Sequence, residues 1–185
     1  MAAVFTQHTV ETAPAHVQPT LRSTTRRFGF LPAPVGLMAE APQLLEAFLA
    51  ANALFDQCSL SALEREVVVM AVATRVECHY CVALHSATLT RAGTDPELLS
   101  ALRDGDPLPD VRLEALRTFT RQVMDEHGAV PEPQLHQLLA AGFTARSALD
   151  VVLGVGVCTL STYANRMTGA PVDPPFAPFT WHPHH

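Results

Sequence analysis

Cys78 and Cys81 form a Cys-x-x-Cys pair, and His85 follows four residues after the second cysteine. Two thiols at that spacing close a small, reversible disulfide. An imidazole one helical turn further on can exchange a proton with the second thiol. A cysteine with depressed pKa beside a base attacks peroxides or disulfides, and a neighbouring thiol then captures the sulfenic acid. Glu66, on the preceding element, joins these three. It falls on an apolar stripe with Leu63, Val67, Met70 and Ala73, where a carboxylate requires a partner, and His85 or a thiol proton supplies one.

These groups must be positioned by helices. Ser61-Ala-Leu-Glu64 is a capping-box pattern, so the run Glu66–Ala73 is expected to be a buried helix despite its valines. The next helix spans Cys78 to Ala92 and stops at Gly93. At about 100° per residue, Cys78, Cys81, Val82, His85 and Leu89 share one inward stripe, while His79, Ser86 and Thr90 fall on a polar, solvent-facing strip. Tyr80 points elsewhere. The first helical turn, with its free N–H groups and dipole, is expected to lower both thiol pKa values.

Further helices are predicted from Pro42 to about Gln57, Glu97 to Arg103, Asp110 to His127, Glu132 to Ala141 and Ala145 to Asn165. No segment has a period of two, so the fold class is all-α. The domain reading is an N-terminal arm over 1–40, mostly irregular because of Pro14, Pro19, Pro32 and Pro34 but docking through Phe28-Gly-Phe-Leu-Pro32. A helical domain follows over 41–168, then a nonhelical proline-rich tail over 169–185. The tail histidines, His182, His184 and His185, are read as part of a free end rather than as metal ligands. Glu66–Ala73 and Asp150–Val157 echo one another as acid-led apolar runs. Cys58 and Cys158 read as small core residues, His127 and His136 as surface, and Asp150, Tyr163 and Asn165 as residues that can line a cavity.

Hydrophobic content of 48% and a formal net charge of −6, with scattered basic residues, describe a globular chain without a nucleic-acid footprint. The low charge density suggests apolar surface committed to subunit contacts. The N-terminus lacks a secretory pattern, and the apolar runs Val67–Ala73 and Val151–Cys158 are far short of the roughly 18 residues that span a bilayer. A soluble cytoplasmic protein is expected, in which a Cys-x-x-Cys pair is catalytic or metal-binding rather than a staple.

Glu66, then Cys78-x-x-Cys81-x-x-x-His85, then Gly93, resembles the alkylhydroperoxidase D (AhpD)-like branch of the carboxymuconolactone decarboxylase superfamily. Gly29-Phe-Leu-Pro32, the helix after Ala41-Pro42, and Asn165 resemble its peroxidase-related members, with coverage from Arg26 to Ala170. The resemblance implies an all-helical subunit that assembles into dimers, trimers or hexamers. It implies peroxide reduction without metal or organic cofactor, using a dithiol or small redox-protein reductant. By that similarity Cys81 is the peroxidatic thiol, Cys78 resolves it, and Glu66 and His85 relay the proton through a water. The best-known members have a histidine directly before the second cysteine. Here Tyr80 occupies that place, an auxiliary group and a poor base near neutral pH.

Three other functions compete with hydroperoxide reduction. One is acid/base decarboxylation of a small lactone or carboxylate, which needs no Cys-x-x-Cys pair. Another is a zinc site built from Cys78, Cys81 and His85, which lacks the second ligand pair that structural zinc uses. The last is a dithiol redox module without peroxidase turnover, which shares the thiol chemistry and differs in its electron donor.

Overall fold

The computed structural model describes residues 4–183. Among them are nine α-helices, one 3₁₀ helix and no strand. The all-α expectation holds, and the helix bounds fall close to those read from caps and stripes.

The site rests on two consecutive helices, α4 (Ala62–Arg75) and α5 (His79–Arg91). The Ser61 hydroxyl accepts from the Glu64 N–H at 3.3 Å, and Glu64 Oε2 accepts from the Ser61 N–H at 2.7 Å. This reciprocal cap removes two orphan donors. Val67, Val68 and Val72 are fully buried, and packing on several sides outweighs their local preference for strand. α4 packs against α5, α6 (Pro96–Asp104), α7 (Val111–Asp125) and α9 (Ala145–Thr168). α8 (Glu132–Ala140) closes the far side against α7 and α9.

α9 is long and apolar enough by length and composition to cross a membrane. In this fold it packs instead on α4, on α7 and on α3 (Pro42–Phe55). Gly154 is required at that crossing. A methyl group there would lie 2.7 Å from the Phe55 ring and 2.8 Å from Val68, inside any tolerable contact. The two echoing runs do lie on packed helices, α4 and α9, but their acids part company. Glu66 meets His85, whereas Asp150 accepts from the Ser59 backbone N–H at 2.9 Å and from its hydroxyl.

The arm differs from expectation. It carries two helices that were not expected, α1 (Gln18–Phe28) and α2 (Ala33–Met38), while the rest of its described residues are irregular as read. Its prolines misled because Pro19 and Pro34 sit in first turns, where no N–H is needed. Ala13, Val17, Leu21, Val35 and Met38 pack with Leu45 into a core of their own. Within the docking stretch Phe30 packs on Phe176 at 5.9 Å between ring centroids, while Phe28 stays partly exposed.

The tail is neither nonhelical nor free. After Gly169 ends α9 in a left-handed turn, Pro174–Phe179 forms the 3₁₀ helix and lies along α5. Phe176 and Trp181 are buried. Arg103 donates to the carbonyls of Phe179 and Thr180 at 3.1 Å each, and Trp181 Nε1 donates to the Arg103 carbonyl at 2.9 Å. The tail therefore covers part of the strip of α5 expected to face solvent. Ser86 is fully buried and accepts from Arg103 at 2.8 Å, whereas His79 and Thr90 are exposed as expected, His79 donating to the Trp181 carbonyl at 2.8 Å. His184 and His185 lie outside the described residues, and no His/Cys/Asp/Glu group among the described residues is arranged to hold a metal ion.

Candidate active site

The α4–α5 corner sets the thiol geometry. Glu77 adopts a left-handed conformation, φ 53°, which costs a non-glycine residue about 1 kcal/mol. The reversal lets the Cys78 N–H reach back to the Ala73 carbonyl at 2.9 Å and leaves Cys78 as the N-cap of α5, in extended conformation. Arg166 on α9 clamps the corner, donating to the Val76 carbonyl and lying 3.9 Å from the Glu77 carboxylate.

Cys78 Sγ and Cys81 Sγ are 3.1 Å apart and share one S–H···S hydrogen bond. Both are buried. Charge on one sulfur opposes ionisation of the other, so the expected lowering of both pKa values is found for only one. Cys78 falls to about 7, chiefly because it accepts from the Cys81 thiol, with further help from the Cys81 backbone N–H, Asn165 and Arg166 against burial. Cys81 is driven well above its usual value, because it donates to Cys78 and because it is buried. The first charge thus belongs to the pair and resides at Cys78. Asn165 Nδ2 lies 3.3 Å from Cys81 Sγ and 3.9 Å from Cys78 Sγ.

One turn further along, His85 Nδ1 donates to Glu66 Oε2 at 2.8 Å. Burial works against the imidazolium, but the Glu66 carboxylate, by charge and by hydrogen bond, outweighs it and raises the His85 pKa. The pair's stabilisation is complete below the usual imidazole pKa of about 6.5 and fades as pH climbs through the raised value. Replacing Glu66 with Gln leaves burial dominant. The His85 midpoint in an NMR titration should then drop below that ordinary value, and a variant midpoint still above it would refute the coupling. The imidazole has no hydrogen bond to either sulfur among the described residues, so only the Glu66–His85 leg of the expected relay is formed directly.

Cys81, His85, Glu66 and Asn165 line one cavity of about 900 Å³. Its other walls are mainly apolar, including Phe48, Phe55, Leu63, Val69 and Leu84. Thr24, Arg27 and Phe28 of α1 and Met38 of α2 also contribute, so the arm encloses the site. Cys78 does not line it. Tyr80 does, but its hydroxyl donates to Asp173 of the tail at 2.7 Å, and burial followed by that carboxylate raises its pKa. Tyr80 ties down the tail and offers no proton to the thiols.

Of the other candidates, Asn165 reaches the thiols. Asp150 is spent on Ser59, Tyr163 is exposed, and Cys58 is half-buried. Cys158 is a core thiol whose pKa rises to about 12, from burial first and then from Glu66 and Cys78. The arm residues of the cavity and Asp173 were missed. Phe28 stood within the stretch expected to dock and Arg27 just before it, whereas nothing local to Asp173 marks its partners.

The structure superposes on an uncharacterized peroxidase-related protein from Ralstonia eutropha JMP134, described as an alkylhydroperoxidase AhpD core, with a TM-score of 0.84, 23% identity and 97% of each chain covered. A peroxidase-related protein from Silicibacter sp. TM1040 gives a TM-score of 0.79, 21% identity and 95% coverage of each chain. The debrominase Bmp8 in complex with 2,3,4-tribromopyrrole gives 0.75 and 16%, covering 97% of this chain and 96% of that one. The fold is therefore that of the AhpD-like proteins. Residues 39–110, which carry Glu66, Cys78, Cys81 and His85, match the carboxymuconolactone decarboxylase family. No curated protein sequence matches it.

Proposed function

We propose that the protein is a thiol peroxidase that reduces hydrogen peroxide or organic hydroperoxides through a Cys78/Cys81 dithiol–disulfide cycle. The observation that carries this reading is the sulfur pair, 3.1 Å apart, whose Cys81 member lines a cavity that also holds the His85–Glu66 pair. Only Cys81 faces the cavity, so it is the thiol that meets substrate. The pair reaches the reactive state by moving its shared proton from Cys81 to Cys78.

The Cys81 thiolate forms a bond to the terminal oxygen of the hydroperoxide, the O–O bond breaks, and the leaving alkoxide takes a proton from His85. Cys81 becomes a sulfenic acid. The Cys78 sulfur then attacks Cys81, the S–O bond breaks, and the oxygen leaves as water after gaining one proton. Two thiols and one hydroperoxide yield one disulfide, one alcohol and one water. A dithiol or small redox protein restores the thiols, and no metal or organic cofactor enters. The peroxide rate constant should rise as pH passes about 7, where the pair ionises.

Brief exposure to one equivalent of hydroperoxide, followed by peptide mass spectrometry, tests the cycle. A Cys78–Cys81 disulfide is the expected product, and peroxide consumption with both thiols left free would refute it. Steady-state assays with dihydrolipoyl and thioredoxin-type donors identify the reductant class.

The apolar walls favour one other reading, reductive dehalogenation of a small halogenated aromatic, because a cavity of about 900 Å³ far exceeds hydrogen peroxide. Bmp8 shares the fold. The same two thiols would supply the electrons, leaving halide and the protonated ring. Release of bromide from tribromopyrrole without hydroperoxide turnover would favour it.

The exposed face of α9 supports self-association. Leu149, Val152, Tyr163 and Met167 are each at least half exposed, and light scattering reads the assembly. The protein is proposed to act in the cytoplasm.

A further inference from the structure

Asn165 is a buried carboxamide near the end of α9, and it carries an imbalance. Its Nδ2 lies 3.3 Å from Cys81 Sγ and 3.9 Å from Cys78 Sγ, whereas its Oδ1 is buried with no hydrogen-bond partner among the described residues. A side chain kept only for packing would not leave a buried carbonyl oxygen unpaired, since that carries a desolvation penalty. The residue lines the cavity beside Cys81. Once the sulfur pair is charged, only the N–H end of the carboxamide is attractive to it. The charge therefore fixes the orientation and turns Oδ1 away from sulfur.

We propose that Asn165 is a catalytic residue: its N–H holds the negative charge on the sulfur pair while Cys81 attacks a bound hydroperoxide. This rests on the thiol-peroxidase reading for the substrate and on the structure alone for the sulfur contact.

The test compares wild type with Asn165→Ala and Asn165→Leu. The second keeps much of the side chain's shape without a charge and loses the donor, and it carries the test should the alanine variant not fold. Thiolate formation is followed by absorbance near 240 nm against pH, and hydroperoxide reduction by stopped flow. Both variants should move the thiolate midpoint upward by about one unit, leaving roughly tenfold less thiolate at pH 7. The hydroperoxide rate at pH 7 should fall by about the same factor.

A thiolate midpoint unchanged in both variants would overturn the role of the N–H. A hydroperoxide rate at pH 7 equal to wild type in both variants would overturn its catalytic role. A wild type inert to every hydroperoxide would overturn the peroxidase reading instead. The titration would still report on the sulfur contact.

Discussion

Serine at position 81 should reduce hydroperoxide turnover by about a thousandfold or more, because a hydroxyl does not ionise in the range where a thiol does. Serine at position 78 should behave differently. It leaves the cavity-facing thiol in place, so the protein should still consume about one equivalent of peroxide and halt as a Cys81 sulfenic acid trappable by dimedone. That variant also removes the acceptor that drives the Cys81 pKa upward. Its single turnover should therefore depend on pH differently from the wild-type reaction. Full activity in Cys81→Ser would end the mechanism. Full activity in Cys78→Ser would show that resolution comes from another thiol.

Alanine at Trp181 should lower stability by roughly 3 kcal/mol, the usual scale for truncating a buried aromatic, and the melting midpoint by about 10 °C. The indole is buried, its N–H is spent on the Arg103 carbonyl, and its ring lies 5.7 Å from that of His79. A melting point within a degree or two of wild type would mean that Trp181 contributes little and that the other tail contacts hold it. The tail is anchored on the outer strip of α5, away from the cavity-lining sulfur. The substitution should therefore reduce stability far more than it reduces the rate of peroxide attack at a temperature where the variant stays folded.

The helices bearing the site were legible because their signals are local. The Ser61–Glu64 box, the Cys78–His85 stripe and the Gly93 stop are each written within a few residues. Glu66 was legible because a carboxylate on an apolar stripe requires a partner. The thiol order was not. It depends on whether Cys78 lies inside the helix or caps it, and the left-handed turn at Glu77 decides that. The arm and tail were misread for two reasons. Prolines in first turns look like helix breakers when counted without position. Docking partners far apart in sequence, such as Trp181 with Arg103, leave no periodic trace.

Asp173 accepts from the Ala33 backbone N–H at 3.2 and 3.3 Å and from the Tyr80 hydroxyl at 2.7 Å, partners 140 and 93 residues earlier in the chain. During synthesis this joint closes late. The N-terminus of α2 and the phenol of Tyr80 must wait for their shared acceptor until residue 173 leaves the ribosome, so a nascent protein can hold a folded α4–α5 corner before its arm and tail are latched. Premature termination between residues 158 and 173 would thus yield a chain with every thiol in place and no latch, a natural target for proteolysis at the arm.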